Sequence, residues 1–199
     1  MRVFLFAAVL TLAACDAAGP ESAATLATAA PTDDAPSASG ADLAAVRAAT
    51  AKYHRVDRAL ADGYGVGERA ISPCVDDDFP VDLGVDLGAM GHHYINLALR
   101  NDGGALDPEQ PEILLYEPTK NGRLRLVGVE YVVPVARDEA GNWVDAGDAP
   151  ELFGQAFHLS RGAGGWALHV WVWKNNPSGM FADFNPTVSC DYTTGPPNA

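Results

Sequence analysis

The sequence predicts an α+β domain in which one N-terminal amphipathic helix packs on a mainly antiparallel β-sheet. Apolar side chains at three- and four-residue steps in residues 42–62 indicate the helix. Five later runs have the composition of strands, at residues 92–99, 112–117, 124–136, 152–159 and 166–174. Short links rich in turn residues separate these runs. Short links favour antiparallel pairing, because a parallel crossover needs about a dozen residues or more.

The chain begins with the pattern of an export signal. Arg2 precedes an apolar run at residues 3–14, which is too short for a bilayer span of about 20 residues. The run ends in Leu12-Ala13-Ala14-Cys15, which resembles the lipobox of bacterial lipoproteins. We therefore expect residues 1–14 to be removed as a signal peptide and Cys15 to carry lipid. An ordinary cleaved signal with a cysteine nearby is the alternative.

The segment after the signal has the composition of a flexible tether. Residues 15–40 are rich in Ala, Pro, Ser and Thr and contain no basic residue. Such a segment buries too little apolar surface to offset the entropy of ordering it. The globular domain is expected at residues 41–199. Asp16 follows the lipid site and resembles a retention signal, so the expected location is the outer face of the bacterial cytoplasmic membrane, with the outer membrane as the alternative.

The charge of the chain excludes one class of partner. The 199 residues include 26 acidic and 13 basic side chains, and the formal net charge is -13. Nucleic-acid binding needs clustered Lys and Arg to neutralise phosphates, so no nucleic-acid partner is expected. Acidic surfaces are repelled by anionic lipid headgroups. Contact with the membrane is therefore expected only through the lipid on Cys15.

The cysteines divide into one lipid site and one pair. With Cys15 assigned to lipid, Cys74 and Cys190 remain in a domain that is exported to an oxidising compartment. We predict that they form a disulfide bond. Free thiols or a two-cysteine metal site are the alternatives, although the pair lacks the CxxC spacing of typical zinc sites.

Within the domain, the predicted helix has clear boundaries. Asp42 can cap its start and Gly63 can end it. Its apolar positions are Leu43, Val46, Tyr53, Val56 and Leu60. Between the strands, turn signals such as Asn121-Gly122 mark the ends of the runs.

Several motifs in the domain form a recognisable set. They include Met90-Gly91-His92-His93-Tyr94, Leu126-Val127-Gly128-Val129-Glu130-Tyr131, His169-Val170-Trp171-Val172-Trp173-Lys174-Asn175-Asn176-Pro177 and Met180-Phe181-Ala182-Asp183-Phe184-Asn185-Pro186. The set resembles a group of small exported bacterial proteins without an assigned activity, over roughly residues 43–190. The resemblance implies no catalytic residue, because none is assigned in that group. In its Met-Gly-x-His-Tyr pattern, His93 matches the histidine and His92 takes the variable place.

Strand alternation places three ionisable side chains on apolar faces. His93 is in phase with Ile95, Leu97 and Leu99. Glu130 is in phase with Leu124, Leu126 and Val132. His169 is in phase with Trp171 and Trp173. A carboxylate among apolar neighbours needs a partner, and an imidazole would serve. We therefore hypothesise a pocket in which His93, Glu130 and His169 converge. Three further residues are candidates for the same pocket: Tyr94, His158 and Glu117.

Two functions are compatible with such a pocket. The first is a non-enzymatic, lipid-anchored envelope protein that binds a small ligand or a partner protein. The second is a metal-dependent enzyme, because two histidines and a carboxylate can hold a divalent metal ion with open positions, with Glu130 as ligand or general base and a bound water as nucleophile. A purely structural surface module is a third reading. A serine hydrolase is not indicated, since no GxSxG motif surrounds Ser72 or any other serine.

Overall fold

The computed structural model describes residues 40–77 and 86–194 of the chain. The predicted signal peptide, the lipid site at Cys15 and the tether up to residue 39 lie outside this part. The architecture is α+β, as the sequence predicts, with short helices packed on a six-stranded antiparallel sheet. Within the described ranges, no helix combines the length and the apolar character needed to cross a bilayer.

The N-terminal helical region is not the single helix that the periodicity predicts over residues 42–62. Helix α1 covers Gly40–Thr50, a 3₁₀ turn covers Ala51–His54, and helix α2 covers Val56–Ala61. Arg55, between the last two, has an extended backbone with φ -100° and ψ 108° and therefore interrupts the helical hydrogen bonds. The buried positions of this region are Val46, Thr50, Tyr53 and Ala59.

Eight strands follow in the described part of the chain. They are β1 Val75–Asp76, β2 Ala89–Ile95, β3 Ile113–Pro118, β4 Leu124–Pro134, β5 Glu151–Leu152, β6 Gln155–Ala156, β7 His158–Ser160 and β8 Gly165–Val170. Six of them form the main sheet in the order β1-β2-β3-β4-β8-β7, and every neighbouring pair is antiparallel. Strands β5 and β6 form a separate hairpin, whose turn residues Phe153 and Gly154 both have positive φ. The run predicted at residues 152–159 is therefore divided.

The strand predicted at residues 92–99 is also shorter than expected. It begins at Ala89 and ends at Ile95, because the side chain of Asn96 accepts hydrogen bonds from two backbone N–H groups of the following turn. Asn is a favoured N-cap residue, and here it starts a short helix, α3, at Leu97–Arg100.

The main sheet packs on both faces. One face and the helices form the helix-side core, which includes Val46, Tyr53, Tyr64, Tyr94, Leu114, Tyr116, Leu126, Val129, Tyr131, Leu168 and Val170. The other face forms the second core, which consists of Ala89, Ile113, Leu115, Val127, Val132, Trp171 and Val188. Alternate residues of β3 belong to different cores, so the two cores lie on opposite faces of the sheet.

A bulge in β4 changes which side chains share a face. Leu115 pairs with Gly128 and Tyr116 with Leu126, so Val127 has no partner of its own on β3. The extra residue reverses the alternation, and Leu126 contributes to the helix-side core instead of facing with Glu130. The prediction that Leu124 and Leu126 are in phase with Glu130 is therefore wrong, and the bulge is the reason.

The chain after β8 covers the second core without forming a strand. Strand β8 ends at Val170, so the predicted strand over residues 166–174 stops early, and the Trp171 N–H instead donates to the Met180 carbonyl at 3.0 Å. The disulfide predicted between Cys74 and Cys190 is present and is confirmed. It joins the segment that leads into β1 to the C-terminal part of the domain.

Candidate metal centre

Three ionisable side chains from three strands converge on the face of the second core. His93 lies on β2, while Glu130 on β4 pairs directly with His169 on β8. Glu130 Oε2 lies 3.5 Å from His93 Nε2 and 3.9 Å from His169 Nε2. One nitrogen or oxygen atom from each residue lies within 4.8 Å of the other two. The side chains are 11%, 2% and 4% exposed for His93, Glu130 and His169, so the group is almost closed to solvent.

His93 has a serine hydroxyl beside one ring nitrogen and a carboxylate beside the other. Ser72 Oγ donates its hydrogen to the Pro73 carbonyl at 2.6 Å and lies 3.2 Å from His93 Nδ1. Burial lowers the pKa of His93 to about 4, so the ring is neutral near pH 7. His93 Nε2 faces Glu130 Oε2.

His169 is contacted from its other side by Asp183. His169 Nδ1 lies 3.3 Å from Asp183 Oδ1, within ion-pair distance but not aligned as a hydrogen bond. Burial acts to lower the pKa of His169, but the charges of Glu130 and Asp183 outweigh it, and the net shift of this pKa is upward. Asp183 Oδ2 is also 3.3 Å from Nε2 of the half-exposed His158. A polar chain thus leads from Glu130 to the surface.

The carboxylate of Glu130 lies within ion-pair distance of two imidazoles. Its Oε2 atom is buried without a hydrogen bond among the described residues, and so are both ring nitrogens of His169. A buried polar atom without a hydrogen bond is unfavourable by about 1 to 3 kcal/mol. A zinc ion at about 2.0–2.2 Å from each tetrahedral ligand would bring the ligand atoms to roughly 3.4 Å from one another. The distances from Glu130 Oε2 to the two imidazoles are close to this value.

A pocket of about 290 Å³ opens beside the cluster and is lined by His93 and Glu130. Most of its wall is apolar, with Met90, Ile95, Ile113 and Phe184 among the lining side chains. Ser72, Ser160 and Arg100 are its other polar side chains. A molecule in this pocket would lie next to two of the three converging groups.

The other three predicted site residues lie outside the cluster. Tyr94 points to the opposite face, where its ring packs edge-to-face on another tyrosine in the helix-side core, because alternation separates it from His93. Glu117 Oε1 accepts a hydrogen bond from Lys174 Nζ at 2.7 Å, at the other end of β3. His158 is connected to the cluster through Asp183.

The sequence analysis did not identify Ser72, Asp183 or Arg100 as residues of this site. Ser72 and Asp183 lie outside the strands, where no periodicity indicates which side chains face the sheet. Asp183 lies within one of the family-like motifs, which is the one signal that could have pointed to it. Arg100 ends α3, one residue beyond the strand predicted at residues 92–99.

Comparison with protein-family models, with curated proteins and with solved structures gives no match. The site is therefore interpreted from its own geometry.

Proposed function

We propose that the chain is an exported, lipid-anchored envelope protein that binds a divalent metal ion through His93 Nε2, Glu130 Oε2 and His169 Nε2, and a small ligand in the adjacent pocket. Two imidazoles and one carboxylate are a ligand set that suits zinc and other divalent transition metals. Three protein ligands leave at least one coordination position for another molecule. Zinc is the first ion to test, because it needs no particular redox environment.

One observation carries the proposal. One ligand atom from each of His93, Glu130 and His169 lies within 4.8 Å of the other two, and Glu130 Oε2 and both ring nitrogens of His169 are buried without a hydrogen bond in the described part of the chain. A metal ion satisfies all three atoms at once. Ser72 and Asp183 then have the usual role of groups that orient metal-binding imidazoles.

The anchoring part of the proposal rests on the sequence. Arg2, the apolar run at residues 3–14 and the lipobox-like segment ending at Cys15 support export and lipidation. The acidic domain would then stand off the membrane on its tether.

Calorimetric titration of EDTA-treated protein with zinc chloride tests the metal site. The protein should be purified without a polyhistidine tag, so that no added histidine binds zinc. We expect one zinc per chain, and affinity reduced roughly a hundredfold or more by Glu130→Gln or His169→Ala. Asp183→Asn should weaken binding roughly 10- to 100-fold, because it removes the charge of the carboxylate beside His169 Nδ1 but removes no metal ligand. His54→Ala, an exposed histidine away from the cluster, is the matched control and should bind zinc like the wild type.

Circular dichroism of each variant separates loss of the site from loss of the fold. The proposal is wrong if folded wild-type protein binds none of zinc, cobalt, manganese or iron(II) at one ion per chain. It is also wrong if folded Glu130→Gln binds zinc as tightly as the wild type does.

A metal-dependent enzyme is the second candidate, and the contact between the cluster and the pocket favours it. Metal sites with three protein ligands and an open position are typical of catalytic zinc. Zinc-dependent hydrolysis of a short-chain nitrophenyl ester, abolished by Glu130→Gln and by EDTA, would support catalysis. Zinc binding without such turnover would leave ligand binding as the function.

A further inference from the structure

Arg100 is a cation of the pocket wall that has no anionic partner in the described part of the chain. It is half-buried at the end of α3, and its Nη2 donates to the Ala163 carbonyl. No carboxylate of residues 40–77 or 86–194 lies within ion-pair distance of its guanidinium. A guanidinium carries five N–H donors in a planar fork, so donors remain beyond the one that Ala163 uses.

The position of this cation is unusual for such an acidic protein. The formal net charge is -13, and exposed basic residues such as Lys52 and Arg55 pair with neighbouring carboxylates. Arg100 instead lines a mostly apolar pocket. A charged group that loses part of its water there is stabilised by a bound counter-ion, and the fork of Arg matches a carboxylate in a bidentate arrangement.

The size and the wall of the pocket restrict what accompanies that anion. A volume of about 290 Å³ corresponds to roughly ten water molecules at about 30 Å³ each, and pockets for drug-sized molecules begin near 300 Å³. The ligand is therefore small. The apolar side chains of Met90, Ile95, Ile113 and Phe184 suit a hydrocarbon body, not a polar one.

We infer that the pocket binds a small monocarboxylate with a short apolar body, held by an ion pair between its carboxylate and Arg100. The apolar body then lies against the four apolar side chains of the wall. This inference rests on the proposed use of the pocket as a ligand site and names the class of ligand.

Hexanoate is a suitable probe, with 1-hexanol and hexylamine as neutral and cationic analogues of the same length. NMR titrations of the full protein, both EDTA-treated and zinc-loaded, give the affinity for each. We expect hexanoate to bind at least tenfold more tightly than 1-hexanol, and hexylamine not to bind measurably. Arg100→Met should reduce the affinity for hexanoate about tenfold or more and leave that for 1-hexanol unchanged.

Arg161→Met is the matched control. Arg161 is exposed in the turn that also contains Ala163, and like Arg100 it donates to a backbone carbonyl, that of Gly141. This variant should bind hexanoate like the wild type. A merely structural role of Arg100 would lower the affinities for hexanoate and 1-hexanol together.

Equal affinities of the wild type for hexanoate and 1-hexanol would overturn the inference, and this result does not depend on any variant folding. Unchanged hexanoate binding by Arg100→Met would overturn it as well. The two proposals fail separately. If the protein takes up no metal but binds hexanoate through Arg100, the ligand class is supported and the metal site is refuted. If the protein binds zinc but does not prefer hexanoate to 1-hexanol, the metal site is supported and the ligand class is refuted.

Discussion

Glu112 is a buried carboxyl group whose ionisation opposes folding. It lies just before β3 and is 2% exposed, and its Oε2 accepts a hydrogen bond from the Val132 N–H at 2.9 Å. Burial raises its pKa to about 7, and this hydrogen bond only partly opposes the shift. Between its ordinary pKa of 4.5 and about 7, the folded protein keeps a proton that the unfolded chain loses. Its contribution to stability therefore falls as the pH rises through this window and is constant above it.

Glu112→Gln should remove this pH dependence. The amide oxygen can still accept from Val132 but does not titrate, so the variant should gain stability over the wild type by roughly 2 to 3 kcal/mol between pH 5 and pH 8. Urea unfolding of both proteins at the two pH values measures the difference. The exposed Glu109→Gln should show no comparable gain. A constant difference between Glu112→Gln and wild type at both pH values would contradict the assigned cause.

At the scale of residues, the sequence was informative wherever a side chain lies on a regular strand. Alternation alone was enough to place His93 and His169 on apolar faces, and the structure brings both to Glu130. It could not reveal Ser72 or Asp183, because both reach the cluster from irregular segments whose path depends on tertiary packing.

Among the elements, β2 depends on a single glycine at its start. Gly91 has φ +88°, and a Cβ atom there would lie 2.5 Å from the Tyr116 carbonyl oxygen of the neighbouring strand. A side chain at this position would meet both an unfavourable backbone conformation and a backbone atom that pairs in the sheet. The close approach of β2 and β3 thus requires glycine.

Gly91→Ala should lower the free energy of unfolding by about 3 kcal/mol or more, or prevent folding. Gly122→Ala is the comparison, because Gly122 also has positive φ, at +74°, but a Cβ there would have no atom within 4 Å. That variant should lose only about 1 kcal/mol. Urea unfolding monitored by tryptophan fluorescence measures both. Similar losses in the two variants would show that the contact with Tyr116 is unimportant.

Element boundaries were less predictable than element types. The helical periodicity of residues 42–62 is real, but it does not show that Arg55 adopts an extended backbone. The end of β2 had a readable signal in Asn96, a good N-cap residue placed before Leu97–Arg100. The bulge at Val127 had none, because a single extra residue in a strand leaves the composition of that strand unchanged.

In the molecule as a whole, the C-terminal segment is held by side-chain contacts and by an isolated antiparallel bridge, in which Asn185 exchanges backbone hydrogen bonds with Ala89 of β2. Lys174 Nζ donates to Glu117 Oε1 at 2.7 Å, and Trp171 Nε1 donates to the Ala182 carbonyl at 2.6 Å. The disulfide between Cys74 and Cys190 spans 116 residues of sequence and fixes the end of this segment.

Replacing both Cys74 and Cys190 by Ser should therefore destabilise the domain substantially. Loss of a disulfide that closes a long loop typically lowers the free energy of unfolding by about 2 to 5 kcal/mol. Urea unfolding of the double variant and of wild type, each with and without dithiothreitol, measures the effect. The reductant should lower the stability of the wild type toward that of the variant and leave the variant unchanged. A loss below about 1 kcal/mol would mean that the non-covalent contacts hold the segment alone.

The origin of the cluster in three separate strands has a consequence for where an ion could be acquired. His93, Glu130 and His169 are distant in sequence and meet only when β2, β3, β4 and β8 have paired. An extended chain passing through a secretion channel has no such site, and ion binding to a site of this kind is coupled to folding. Under the proposed export, the folded protein would take up its metal ion outside the cytoplasm. The concentrations of competing ions such as zinc and manganese differ there from those inside.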